Sequence, residues 1–199
     1  MAISINPFIT TNAPGTFSVY SDGYVQGEAF DEPAVRYQLT SGPLASTETL
    51  PMWGGVAVSQ VVPSSSVMGL GGAVARATSL ANHTGFSVFN QSYAWVQTPQ
   101  SPVPTATNGM SVGFYRFGTE AKIPVACSSV LAAALVGNGT NQQVQWDYTN
   151  QVLIAYVSGT ALPVSILDVQ IGNSKTVSYR SGTGLTTYGN NGTCALIQI

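Results

Sequence analysis

Apolar and polar side chains alternate with a period of two through much of the second half of the chain. Val144, Trp146 and Tyr148 alternate with Gln143, Gln145 and Asp147, the pattern of a half-buried strand. Thr149-Asn150 can turn the chain. Val152, Ile154 and Tyr156 then alternate with Leu153, Ala155 and Val157, which are also apolar. This predicts a hairpin with an inner second strand. Val164 to Ile171 and Thr176 to Tyr179 read as further strands, and Cys194 to Ile199 as a strand inside a sheet.

The middle of the chain follows the same rule. Val56 and Val58 open a strand that Pro63-Ser64-Ser65-Ser66 ends, and a glycine turn at 69–72 precedes a strand from Ala73 to Ala81. Phe86 to Phe89 and Met110 to Phe117 are aromatic-rich strand candidates. The stretch from Gln97 to Thr105 carries Pro99, Pro102 and Pro104. Such a segment cannot be an inner strand, so it is expected as a stiff extended loop. Val130 to Val136 is the one helix candidate, two turns at most.

Residues 1–50 have no sustained alternation, and Pro7, Pro14, Pro33 and Pro43 are spaced along them. They nevertheless hold Ile3, Ile5, Phe8, Ile9, Phe17, Tyr20 and Tyr24, which is not the composition of a disordered segment. They are expected as an extended acidic arm that orders against something else, with residues 51–199 as the body. About nine to eleven short strands and little helix make the fold all-β, of the β-sandwich or jelly-roll kind.

Composition changes the functional picture more than the fold. Charged residues make up only 7% of the 199, and residues 77–115 contain none, against about a quarter in an ordinary soluble domain. Ser, Thr, Asn and Gln together number 64. A surface of neutral hydrogen-bonding groups packs against neighbours with little charge to desolvate, which points to a protein that sits against other proteins. No basic stripe exists, so direct nucleic-acid binding is not expected. The start has neither a cationic segment nor a long apolar run, as a signal peptide would, and no apolar run is long enough to span a membrane. Synthesis in a cytoplasm is expected, with Cys127 and Cys194 as thiols.

Chemistry-bearing residues are sparse. His83 is the only histidine. Neither a serine nor an acid stands near it in a catalytic context, so it reads as a surface loop residue and no catalytic site is expected. Cys127 reads as a buried thiol at a strand end. The glycines from Gly69 to Gly72 lack the third glycine and following acid of a dinucleotide fingerprint, and no cofactor is expected. Asp22, Glu28, Asp31 and Glu32 form one acidic cluster, which can be solvated, can face arginines of a partner, or can hold a cation, although calcium-loop spacing is absent. No metal site is assigned. Trp146 reads as core. Tyr93 and Trp95 share strand parity and project to one side, as core or as a contact surface.

Several stretches between Leu50 and about Ala155 resemble a known family. They are Leu50-Pro51-Met52-Trp53-Gly54-Gly55-Val56, Ala75-Arg76-Ala77-Thr78, Thr84-Gly85-Phe86-Ser87-Val88-Phe89-Asn90-Gln91, Thr98-Pro99-Gln100-Ser101-Pro102-Val103-Pro104, Gly109-Met110-Ser111-Val112-Gly113-Phe114-Tyr115-Arg116 and Val144-Gln145-Trp146-Asp147. These are similar to the structural cement proteins of tailed-phage heads. The resemblance covers about half the chain and carries no catalytic motif. It implies a non-enzymatic decoration protein on the outer surface of an icosahedral capsid, bound to an HK97-like major capsid protein and to itself as a dimer or trimer. The expected contact residues are Ile3, Ile5, Phe8, Ile9, Phe17, Tyr20, Tyr24, Asp22, Glu28, Asp31, Glu32, Tyr93 and Trp95. The alternative is a tail-spike or fibre-type module that binds a glycan, with Tyr93 and Trp95 as its stacking platform.

Overall fold

A computed structural model of the chain describes residues 23–30, 32–62, 72–89, 96–98 and 101–199. The all-β class expected from the alternation is what the chain adopts: mostly strands in antiparallel sheets, with few helical residues. The central sheet has five strands: β1 (Thr40–Pro43), β2 (Ala57–Val61), β3 (Ala73–Arg76), β4 (Gly85–Val88) and β7 (Ser111–Arg116). Their order is β1-β7-β4-β2-β3. The edges then meet. Leu44, just beyond β1, forms a parallel bridge with Val74 of β3, and Ala45 N donates to Val74 O at 2.8 Å. The sheet thereby curls into a small barrel whose two edge strands are joined at this one bridge. Gly42 makes the closure possible. A Cβ at Gly42 would stand 2.5 Å from the Gly72 carbonyl oxygen, so only glycine lets the two backbones come this close.

Alternation sorts the side chains of this sheet into two clusters. Val58, Val74, Val112 and Phe114 face one way and join Leu44, Met52, Trp53, Val56, Val103 and Ala106 in the barrel interior. Ala57, Phe86 and Tyr115 are cross-strand partners and face the other way. The sheet therefore buries both faces, which is why β4 is buried along its whole length. Burying Phe86, Phe114 and Tyr115 completely stabilises the fold by roughly 2–3 kcal/mol each before the entropy of ordering them is subtracted.

The outer face of the barrel is covered by a three-stranded sheet, a hairpin and a helix. β8 (Lys122–Ala126) pairs with β12 (Leu185–Gln198), which pairs in turn with β11 (Ser165–Arg180). Cys194 to Gln198 thus run inside a sheet, as the apolar end of the sequence suggests. β9 (Val144–Asp147) and β10 (Val152–Ala155) form the expected hairpin. Its turn is set by the Asp147 carboxylate, which accepts from the backbone N–H groups of Thr149 and Asn150 at 2.9 and 3.0 Å. β10 is not the inner strand that was expected. Among the described residues it pairs only with β9, apart from one bridge between Leu153 and Cys127. Helix α2 (Ser129–Leu135) lies where predicted. Ser128 caps it by accepting from Leu131 N, and Leu131, Ala132 and Leu135 are buried.

Other expectations change in detail. The two blocks 164–171 and 176–179 belong to one strand, β11. At about 3.3 Å per residue this strand spans roughly 50 Å. Irregularities near Ile166, Gln170 and Ser174 bend it, so that it and β12 serve both clusters. Ile166, Ala195 and Ile197 pack in the outer cluster, while Val177, Tyr179 and Tyr188 pack against the barrel interior. The proline-rich stretch is a two-stranded ribbon and not a loop: β5 (Val96–Thr98) pairs with β6 (Ser101–Thr105). β6 has no second neighbour among the described strands, so the prolines deprive no ladder of a donor. The strand after Gly72 stops at Arg76, and a 3-10 turn at Leu80–Asn82 follows, with Ser79 and Asn82 capping each other.

The arm expected over residues 1–50 does not extend to residue 50. From Gly23 the described residues are built into the body. β1 belongs to the barrel, and Ala29 and Val35 are buried in the outer cluster. Val35 sits in a one-turn helix, α1 (Pro33–Arg36), which the prolines concealed.

Candidate interaction surface

Residues 23–30 and 32–39 form a strap over β11 and β8. Tyr24 O accepts from Lys175 N at 2.8 Å and Gln26 N donates to Lys175 O at 2.9 Å, which adds a short parallel pairing to the outer edge of β11. Gln26 is 2% exposed, and its Oε1 accepts from Val177 N at 2.9 Å. Gly27 N and Phe30 N donate to the carbonyls of Pro124 and Lys122.

Three of the contact residues expected from the sequence lie on this strap. Tyr24 is half-buried. Its ring meets Phe30 edge-on at 6.0 Å, and its hydroxyl donates to Asp168 Oδ2 at 2.6 Å. Burial and the neighbouring carboxylate together raise the Tyr24 pKa. At Asp168 burial works against ionisation. Hydrogen bonds from Tyr24 and Gln170 outweigh it and hold the carboxyl below its ordinary value. Glu28 is exposed beside Tyr188, whose hydroxyl is pushed up to about 12 by burial first and then by Glu28. Glu32 takes a hydrogen-bonded ion pair from Lys122 Nζ. Ile3, Ile5, Phe8, Ile9, Phe17, Tyr20, Asp22, Asp31, Tyr93 and Trp95 lie outside the described residues.

Glu28 and Glu32 have separate surroundings and do not converge. Among the described residues no group of three or more His, Cys, Asp or Glu side chains could hold a metal ion. No described helix is long and apolar enough to cross a membrane.

His83 is not the surface loop residue that its neighbours Asn82, Thr84 and Gly85 suggest. It is 7% exposed, inside an aromatic cage. Phe86 and Phe117 each meet it edge-on at 4.7 Å, Tyr148 at 5.6 Å, and Trp146 lies at 6.4 Å. Nε2 stands 3.0 Å from the Gly85 carbonyl oxygen, which can only accept. Nε2 therefore carries the proton, and Nδ1 accepts from the Tyr148 hydroxyl at 3.2 Å. Burial, partly opposed by the Gly85 carbonyl, lowers the imidazole pKa to about 4. Both nitrogens are engaged and the ring is neutral near pH 7, so His83 fills and ties a core.

The remaining candidates are also core residues. Trp146 is buried, and its Nε1 donates to Gln151 Oε1 at 3.3 Å. Trp53 stacks on Tyr179 with centroids 6.0 Å apart. Cys127 and Cys194 are buried free thiols whose pKa values burial pushes up to about 12. Such thiols are inert at neutral pH. Sequence reasoning missed Gln26 and Asp168, because their partners lie about 150 residues away and no local pattern marks them.

Most of the few described charges are engaged within the chain. Glu48 pairs with Arg76 and Glu32 with Lys122. Arg116 bonds Gln60, Asp147 holds its hairpin turn, and Asp168 holds Tyr24. Of these, only Glu48–Arg76 and Glu32–Lys122 join opposite charges, while Arg116, Asp147 and Asp168 keep their charge on the surface. Tyr37, Val62, Val130 and Val157 are each more than three-quarters exposed upon it.

No family model matches this chain, and neither does any curated protein or solved structure.

Proposed function

We propose that this chain is a non-enzymatic structural cement protein. It would bind the outer surface of an icosahedral phage capsid as a dimer or trimer and bridge neighbouring subunits of an HK97-like major capsid protein. The resemblance of the segments between Leu50 and Ala155 supports the phage assignment. The observation that carries the reading is the scarcity of charge, 7% of the residues, with Glu48–Arg76 and Glu32–Lys122 paired within the chain and several apolar side chains exposed. A surface of this kind forms interfaces with little desolvation penalty.

The mechanism is linkage. Packaged DNA strains the shell outward. A protein that fits only the expanded lattice stabilises that state by mass action. An oligomer touching several subunits gains from effective concentration, so individually weak contacts add into firm retention. The protein would be made in the host cytoplasm and reside on the virion.

Co-sedimentation tests the reading. The purified protein should bind expanded shells of an HK97-like capsid protein and leave unexpanded shells and free subunits alone. Particles washed in about 1 M salt, where the Debye length is near 3 Å, should keep most copies, because apolar contacts persist when exposed charges are screened. Failure to bind any shell, or complete release by about 0.5 M salt, would remove the neutral-interface argument.

A further inference from the structure

A groove of about 570 Å³ lies between the loop after β7, the loop ahead of β9 and the segment leading into β11. This volume is within the range of ligand sites, roughly 300–1,000 Å³. Buried Leu162, half-buried Phe117 and exposed Pro163 give its lining apolar surface. Glu120, Asn141 and Gln142 line it as well, and no Lys or Arg does.

The polar side is held in place. Ser165 Oγ donates to Asn141 Oδ1 at 2.6 Å, which presents Asn141 Nδ2 as a donor. Gln142 Nε2 donates to Gly139 O at 3.1 Å, which presents Gln142 Oε1 as an acceptor. Glu120 and Asn141 have left-handed backbones, with φ of 60° and 65°. Among the described residues only three non-glycine positions do so, and two of them line this groove. Such conformations cost about 1 kcal/mol or more and persist where the surrounding structure imposes them, often at binding sites.

The lining selects among ligands. An anion would find no cation, and Glu120 is the only acidic side chain lining the groove for a metal ion. A wholly apolar ligand would strip water from the amides without replacing their hydrogen bonds. A peptide bound by strand addition would need an open strand edge. β12, which brings Gln198 to the groove, is already paired on both sides by β11 and β8. A sugar ring satisfies every element. Its hydroxyls both donate and accept, matching a fixed amide donor, a fixed amide acceptor and a carboxylate, and its C–H face packs on Phe117 and Pro163. We infer that this groove binds a neutral saccharide of one or two rings. The inference is independent of the capsid reading, because it needs no shell.

The test is NMR of the full-length ¹⁵N-labelled protein, following the side-chain amides of Asn141, Gln142 and Gln198 while neutral oligosaccharides of glucose, galactose and N-acetylglucosamine are added. At least one should move these signals saturably, with a Kd of about 1 mM or tighter. The double variant Glu120→Gln, Gln142→Ala should bind about tenfold more weakly, with its backbone spectrum otherwise unchanged. If that variant misfolds, Pro163→Lys at its exposed position should block binding instead. No movement at about 10 mM of any sugar, equal binding by the folded variants, or movement only with an unstructured peptide library would overturn the assignment.

Discussion

Arg76 stands over the ring of Trp53, its guanidinium carbon 4.8 Å from the ring centroid. The same side chain donates from Nη1 to Glu48 Oε1 at 2.9 Å and to the Leu50 carbonyl at 3.3 Å, and from Nη2 to the Pro51 carbonyl at 2.5 Å. Glu48 Oε2 also takes the Arg76 backbone N–H at 2.9 Å. The side chains of the pair are only 10% and 12% exposed. Burial lowers the Arg76 pKa, and Glu48 offsets this. Removing one partner leaves the other charge buried and unpaired. Glu48→Gln should therefore destabilise the fold by about 3 kcal/mol in urea unfolding. Arg76→Lys should cost nearly as much, because an ammonium cannot reach both carbonyls and stack as well.

Acid should weaken the fold through His83. The folded chain keeps this imidazole neutral down to about pH 4, whereas an unfolded chain protonates it below about 6.5. Between those values the unfolded state binds more protons, so stability falls as pH falls. The contribution is complete above about 6.5 and gone by about 4. From pH 7 to 4.5 the wild type should lose about 2 kcal/mol more than a His83→Gln variant. Parallel losses in the two proteins would contradict the buried, neutral assignment.

Gly85→Ala should be among the most damaging substitutions. A Cβ there would overlap the Tyr115 carbonyl oxygen across the β4–β7 pair and stand 2.8 Å from Arg116 Cα. Both obstacles are backbone of the barrel, so no rotamer change relieves them. A loss of about 3 kcal/mol or more, or failure to fold, is expected by urea titration or thermal melting.

Tyr24→Phe should loosen the strap and leave the body intact. It deletes the hydroxyl hydrogen bond to Asp168 and keeps the ring against Phe30. Global stability should change by about 1 kcal/mol or less. Amide exchange at Gln26, Gly27 and Phe30 should accelerate severalfold, while exchange in β4 and β7 stays unchanged. Uniform acceleration would show that the strap opens only with the whole fold.

What could be read in the sequence was local. The hairpin from Val144 to Ala155 announced itself by its alternation and the Thr149-Asn150 turn, and α2 by the apolar run from Val130 to Val136; the roles of Asp147 in the turn and Ser128 in the cap came only from the structure. The buried state of His83 could not be read. Its cage comes from Phe86, Phe117, Trp146 and Tyr148, residues on three strands and their loops, while its own neighbours look like a surface loop. The strap was hidden for the same reason. Prolines break its periodicity, and its bonds reach partners far along the chain. The charge pattern was half legible: composition shows how few charges there are, and only the structure shows that Glu48 pairs with Arg76 in a nearly buried site and Glu32 with Lys122 nearer the surface.

The strap has a kinetic consequence. Gln26 Oε1 waits for the N–H of Val177, 151 residues away, and Tyr24 N for Ser174 Oγ, 150 residues away. Neither acceptor nor donor is in place until the β11–β12 ribbon has formed and bent across the barrel. Long-range pairings of this kind slow folding, because the entropy of closing the loop is lost before the contact is gained. Docking of the strap should thus be the last event in folding, on a timescale of milliseconds to seconds or longer. Until then the outer edge of β11 near Lys175 stands open to any other extended chain.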